Sequence, residues 1–190
     1  MKFESKYKIL LNNLFENGDF SLIPIRFEDR LDIMKWRNEQ IYHLRQSKPL
    51  TIEDQDNYFS NYVATIFNED APRNILFSFL RKGKLIGYGG LVHINWIDKN
   101  AEISFIMNTE LEKNSFVEIW KEYLILIEKV AFIELKLHKL FTYAFDLRPH
   151  LYPVFEEAGF KLEARLKEHC YFNEEFKDVV IHSKINQNGY

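Results

Sequence analysis

ILFSFL at residues 75–80, LIGYGGLVHINW at 85–96 and AEISFIM at 101–107 decide the fold. Each run is rich in β-branched, aromatic and aliphatic residues. The breaks between them, Lys82-Gly83 and Asp98-Lys99-Asn100, have turn chemistry, so the three runs predict a three-strand antiparallel meander. Gly87, Gly89 and Gly90 continue into an apolar strand rather than a helix. That pattern marks a bulge or a close approach of two backbones, because a phosphate cradle needs a helix amino terminus behind it.

Upstream of the meander, residues 5–17 read as a short amphipathic helix stopped by Gly18. Ser21 to Phe27 reads as a strand interrupted at Pro24 and therefore placed at a sheet edge. Asp29 is positioned to cap the next helix, whose core contacts would be Leu31, Met34 and Ile41. Glu53 to Phe67 forms a second helical pattern, with Tyr58, Phe59, Tyr62, Val63 and Ile66 on one side. Downstream, Ser115 and Glu118 have the spacing of a capping box opening a long helix to about Glu134. Leu137 to Phe145 reads as a strand and Pro149 to Glu157 as a helix with Gly159 as its C-cap. Phe160 to Tyr171 and Phe176 to Ile185 make a closing hairpin around Asn173. With no repeat or linker, the expectation is a single α/β domain over residues 1–190. Its mixed, mostly antiparallel sheet is flanked by helices, and residues 1–19 form a helical extension.

Composition narrows the chemistry. Thirty of the 190 residues are Phe, Tyr or Trp and only twelve are Gly or Pro, which excludes low-complexity disorder. The formal net charge is −3, a poor match to a nucleic-acid backbone. The lone cysteine, Cys170, allows no internal disulfide, and neither a secretory apolar stretch nor a membrane-length run is present. The expected setting is the cytoplasm, without nucleic-acid or membrane partners. No glycine lies between Gly90 and Gly159, so no P-loop or dinucleotide-binding turn can form there. The six histidines lack metal-ligand spacing, and no serine sits in a nucleophile elbow. Kinase, dehydrogenase, metal and serine-hydrolase readings therefore fall away.

The order of elements, together with Glu28-Asp29, Trp36-Arg37-Asn38, Ile86-Gly87, Ala101-Glu102-Ile103, the run from Phe155 to Phe160 and Asp178-Val179-Val180, resembles the Gcn5-related N-acetyltransferase (GNAT) superfamily over roughly residues 20–186. The branch it is similar to contains ribosomal-protein N-terminal and amino-sugar-nucleotide acetyltransferases. The resemblance implies transfer of an acetyl group from acetyl-CoA to a primary amine, with a nucleotide-linked amino sugar as the expected acceptor. A protein amino terminus, or a non-catalytic role in binding a ligand or partner, are the alternatives. A homodimer is compatible with the resemblance.

An alkyl amine arrives protonated at neutral pH, so a base must take its proton before attack. Glu102 matches the family position for that base. It shares a strand face with Ser104 and Ile106, and the same place on a strand also suits a solvated charge. Phe155 stands where the family's acid tyrosine is usual, and Tyr152, one helical turn earlier, is the substitute candidate. The resemblance also implies that backbone N–H groups around Ile106, Met107 and Asn108 hold the thioester carbonyl. It places Lys113, Asn114, Ser115 and Phe116 at a helix amino end facing the CoA pyrophosphate, with Arg148 as a further contact. The loop glycines of the family would fall at Lys113, Ser115 and Val117. Trp36, Arg37, Asn38, Tyr88 and His93 would wall the acceptor pocket; Arg37 suits either an acceptor phosphate or carboxylate or a loop-anchoring salt bridge, while core packing suits Trp36, capping suits Asn38 and packing also suits Tyr88 and His93.

Overall fold

A computed structural model describes residues 3–44 and 46–187. Its centre is the expected meander: β3 (Ile75–Arg81), β4 (Lys84–Asn95) and β5 (Asn100–Met107) pair antiparallel in sequence order. The first turn places Lys82 and Gly83 in the left-handed region, as a tight hairpin of this twist requires. Outside β3 lie β2 (Phe20–Pro24) and then β1 (Phe15–Asn17), both antiparallel.

This amino-terminal arrangement departs from the sequence reading. No helix forms over residues 5–17; Asn17-Gly18-Asp19 is hairpin chemistry, with Gly18 at φ 56° turning β1 into β2. The preceding segment is instead pinned by long-range polar contacts. The Tyr7 hydroxyl donates to the Leu76 carbonyl at 2.8 Å and accepts from the Leu76 N–H at 3.1 Å, while Asn12 donates to Glu134. β2 is consequently not the edge strand, and Pro24 ends it.

α1 (Arg30–Glu39) buries Ile33 and Trp36 rather than Leu31 and Met34. Asp29 does not cap it: the carboxylate is buried and accepts from Arg26 at 2.7 Å and from Ser78 Oγ at 2.6 Å. α2 (Ile52–Tyr58) opens with a capping box from Thr51 and Asp54 and runs through a π-helical turn, Phe59–Val63, into α3 (Ala64–Ile66). α4 (Thr109–Glu128) continues as a π-helical turn over Lys129–Glu134.

Strand alternation sends Tyr88 toward α1 and Phe105 toward α4, where Phe105 stacks on Tyr123 at 3.9 Å between ring centroids. Gly89 is the close approach that the glycine run implied. A Cβ there would lie 2.1 Å from the Ser104 carbonyl oxygen, the same oxygen that accepts the Tyr123 hydroxyl at 2.8 Å.

The expected strand over 137–145 is divided into β6 (Lys139–Phe141) and β7 (Ala144–Phe145). After a 3-10 turn over Pro149–Leu151 comes α5 (Tyr152–Glu157), closed by Gly159 at φ 87°. β8 (Lys161–Phe172) and β9 (Glu175–Ile185) form the last hairpin, turning at Asn173 and Glu174 with φ 49° and 64°. β9 carries β6 and β7 along one edge and β8 along the other. The described residues thus form a nine-stranded, mixed, mostly antiparallel sheet. None of their helices is long and apolar enough to cross a membrane.

Candidate active site

β5 is parallel to β6 only from Asn100 to Glu102, opposite Lys139 to Phe141; beyond Glu102 its outer edge is unpaired. A cavity of about 450 Å³ fills the divergence. Among its lining residues are Glu102, Ser104 and Phe105 from β5, Tyr143 and Phe145 from the facing segment that runs from β6 through β7, and Trp120, Arg148 and Tyr152.

Glu102 stands where the strands begin to part. Its Oε2 accepts from His93 Nδ1 at 2.8 Å; the carboxylate is one-fifth exposed and the imidazole more than half. The pairing follows from a backbone irregularity. The β4–β5 register slips between Val92 and Asn95, and His93 sits at φ 51° with its N–H donating to Asn74 Oδ1 at 3.0 Å. Regular alternation would turn His93 to the opposite face from Val92, the cross-strand partner of Glu102. Both side chains line the cavity, the carboxylate the more buried of the two, and a carboxylate and an imidazole in such contact can exchange a proton.

On the opposite wall, Arg37 Nη1 donates to the Tyr88 hydroxyl at 2.7 Å and Nε donates to Gln46 Oε1 at 3.1 Å. Gln46 in turn donates to Asn38 Oδ1 at 3.0 Å, and Asn38 is locked to both backbone groups of Leu50. Asn38 therefore braces Arg37 from behind. Trp36 lies in the core and does not line the cavity.

The backbone corrects the thioester expectation. The Asn108 N–H donates to the Ile86 carbonyl at 2.8 Å, so along β5 the N–H groups of Asn108 and Ile106 point into β4. Those of Ile103, Phe105 and Met107 point to the open edge, leaving Met107 alone of the three expected residues on that side. The helix amino end is corrected as well. α4 begins at Thr109, not Ser115, because Asn108 ends β5 and caps the helix, accepting from the Glu110 N–H at 3.0 Å. Lys113, Asn114, Ser115 and Phe116 consequently lie inside α4, where their N–H groups belong to the helix ladder. Glu110 and Glu112 make its first turn acidic, and Glu112 pairs with Arg148 at 3.1 Å.

Tyr152 lines the cavity, but its hydroxyl donates to Asp146 Oδ1 at 2.6 Å. Burial and that carboxylate push the phenol well above its usual range. Hydrogen bonds from Tyr152 and Arg165 hold Asp146 below the ordinary carboxylate range. Phe155 is buried against Trp120 and Phe160. His43, also on the lining, is pushed down to about 3 by burial and then by the Arg148 guanidinium, which donates to its Nε2 at 3.1 Å. Trp120 Nε1 and Arg148 Nε are buried donors without a hydrogen-bond partner among the described residues. Trp120 and Gln46 escaped the sequence reading: one obeys the apolar period of α4, and the other has no motif at all.

A family model described as acetyltransferase (GNAT) domain matches residues 23–181. The chain belongs to that family. GNAT membership makes it an acetyl-CoA-dependent N-acetyltransferase, delivering acetyl to an amine. It is similar to the spermidine N(1)-acetyltransferase of Vibrio cholerae, 25% identical over 167 residues, covering 86% of each chain. Among solved structures, spermidine N-acetyltransferase from V. cholerae in complex with CoA and spermine superposes with a TM-score of 0.76 at 21% identity, over 90% of this chain and 97% of that one. A dodecameric structure of the same enzyme in an intermediate state gives 0.70 at 22% identity, over 90% and 95%.

The GNAT cavity suits the thin amide-bearing arm of CoA. An unpaired strand edge and two orphaned buried donors, Trp120 Nε1 and Arg148 Nε, await carbonyl acceptors that such an arm carries. Acetyl-CoA supplies the activated acyl group; the chain's own part is to position it and move protons.

Proposed function

We propose that this GNAT chain acetylates a small-molecule primary amine in the cavity beside β5, with Glu102 as the base and His93 relaying the proton to solvent. The observation that carries this reading is the 2.8 Å contact between Glu102 and His93 at the point where β5 and β6 part. The ammonium of an incoming amine is attracted to the Glu102 carboxylate and loses one proton to it; the free amine attacks the thioester carbonyl, the C–S bond breaks, and the amide nitrogen gives its second proton to the departing thiolate. The Glu102 carboxyl then passes its proton across the 2.8 Å contact to His93 in the tautomer with a bare Nδ1, and the ring releases the Nε2 proton to solvent. The open-edge N–H groups of Phe105 and Met107 hold the developing oxyanion in this reading. Thiolate departure needs little help, because a thiol titrates near ~8.5. Tyr152, with its proton committed to Asp146, serves as wall rather than acid.

The relatives are named for spermidine, which makes polyamines the first acceptors to assay. Release of free CoA thiol from acetyl-CoA, followed with spermidine, spermine, amino sugars and a basic peptide in parallel, tests the reading. Turnover of a small amine supports it. Turnover of the peptide alone would replace it with protein amino-terminal acetylation.

A further inference from the structure

Arg37 carries a charge for which the described residues supply no carboxylate counterion. A guanidinium has five N–H donors; Nε and one N–H of Nη1 are used by Gln46 and Tyr88, which leaves the rest of both Nη groups free. Both partners are neutral. Among the described residues no carboxylate lies within ion-pair distance of Arg37, whereas Arg26, Arg30, Arg81, Arg148 and Arg165 each have one. Yet Arg37 is half-buried, lines the cavity, and is held in place by the chain of Gln46, Asn38 and the Leu50 backbone. A cation held rigidly at a cavity wall with its counterion missing is a receptor for an anion.

The geometry points to a substrate class: we infer that the acceptor amine of this chain bears an oxyanion, a carboxylate or phosphate, which Arg37 binds at the far end of the cavity from Glu102. This rests on the acetyltransferase reading above and sharpens it. Tyr88, which carries Arg37, is four residues along β4 from Val92, the partner of Glu102, or about 13 Å of strand. Amine and anion are therefore at opposite ends of an extended molecule. A bare polyamine fits poorly. Its second ammonium would meet Arg37, and Glu102 is the single carboxylate on the lining.

Matched acceptors test this: 6-aminohexanoate against 1,6-diaminohexane, and glucosamine 6-phosphate against glucosamine. The wild-type chain should favour the anionic member of each pair by tenfold or more in kcat/KM. Arg37→Met should collapse that ratio to near one, and Arg37→Lys should restore part of it, while calorimetric affinity for acetyl-CoA changes less than threefold. Preference for the diamine, or an unaltered ratio in Arg37→Met, overturns the inference. So does a tenfold loss of acetyl-CoA affinity in Arg37→Met with the anion preference intact, which would assign the guanidinium to the CoA phosphates. Binding separates this inference from the reaction itself. If no acceptor turns over, glucosamine 6-phosphate should still bind the wild type and not Arg37→Met; no binding to either refutes the oxyanion site.

Discussion

Replacing Glu102 by Gln removes the proposed base at almost no structural cost. The side chains are isosteric, and the amide oxygen can still accept from His93 Nδ1, now 2.8 Å from the Glu102 oxygen. Loss of a positioned general base costs roughly 10²–10⁴-fold in rate, equivalent to about 3–5 kcal/mol of transition-state stabilisation. The structure selects the lower end. His93 remains beside the vacated role, more than half exposed and on the lining of the same cavity, so it can take over part of the proton transfer. The expected loss is therefore about 10²-fold for Glu102→Gln and about 10⁴-fold for Glu102→Gln with His93→Gln. The same carboxylate attracts the ammonium, so KM for the amine should rise with the first substitution, while acetyl-CoA affinity stays put. The assay is CoA thiol release at saturating acetyl-CoA, with unfolding curves confirming equal stability. Wild-type turnover in Glu102→Gln between pH 6 and 9 would remove the carboxylate from the mechanism. Equal losses in the single and double variants would remove His93.

Three further outcomes follow from the packing. Gly89→Ala should destabilise by about 3 kcal/mol or more, because its Cβ would enter the Ser104 carbonyl oxygen and crowd the Tyr123 hydroxyl at 2.6 Å; a urea midpoint unchanged from wild type would contradict the close approach. Folded His43 stays neutral to about pH 3, whereas in the unfolded chain it takes a proton near its ordinary 6.5. The unfolded state thus binds the extra proton between those values, and stability falls as pH drops through that window; His43→Gln should flatten the loss between pH 6.5 and 4.5 in denaturant titrations. Tyr152→Phe should keep kcat within about threefold, since the phenol is held protonated against Asp146. A hundredfold drop in kcat would reinstate it as an acid.

The meander was legible because its residues state the same pattern at every level: alternating apolar runs, turn dipeptides and glycines where backbones touch. The closing hairpin around Asn173 was legible for the same reason. The amino terminus was not. Its apolar residues fit a helical period, but Tyr7 and Asn12 find partners at Leu76 and Glu134, contacts more than sixty residues away that local pattern cannot contain. The start of α4 was misplaced because two capping signals compete, and Asn108 wins by lying directly where β5 must end. At the site, Glu102 and His93 were individually visible. Their contact was not, because it depends on a register slip and a left-handed residue that sequence alternation forbids. The free charge of Arg37 was equally hidden, since a missing counterion is a property of the folded surroundings.

Among the described residues β8 is bonded to β9 alone, so its other side offers a row of unpaired peptide groups to any passing strand. Its solvent-facing sequence answers that hazard with Lys161, Glu163, Arg165 and Lys167, and its pairing is broken twice, near Leu162 and again between Leu166 and Cys170. Closely spaced charges and two kinks make a poor template for a foreign strand, particularly one of the same sequence, whose like charges would face each other in a parallel, in-register stack. Neutralising these positions should leave the fold intact while raising the tendency to fibrillate. This edge of the sheet is thus shaped by the need to refuse other strands.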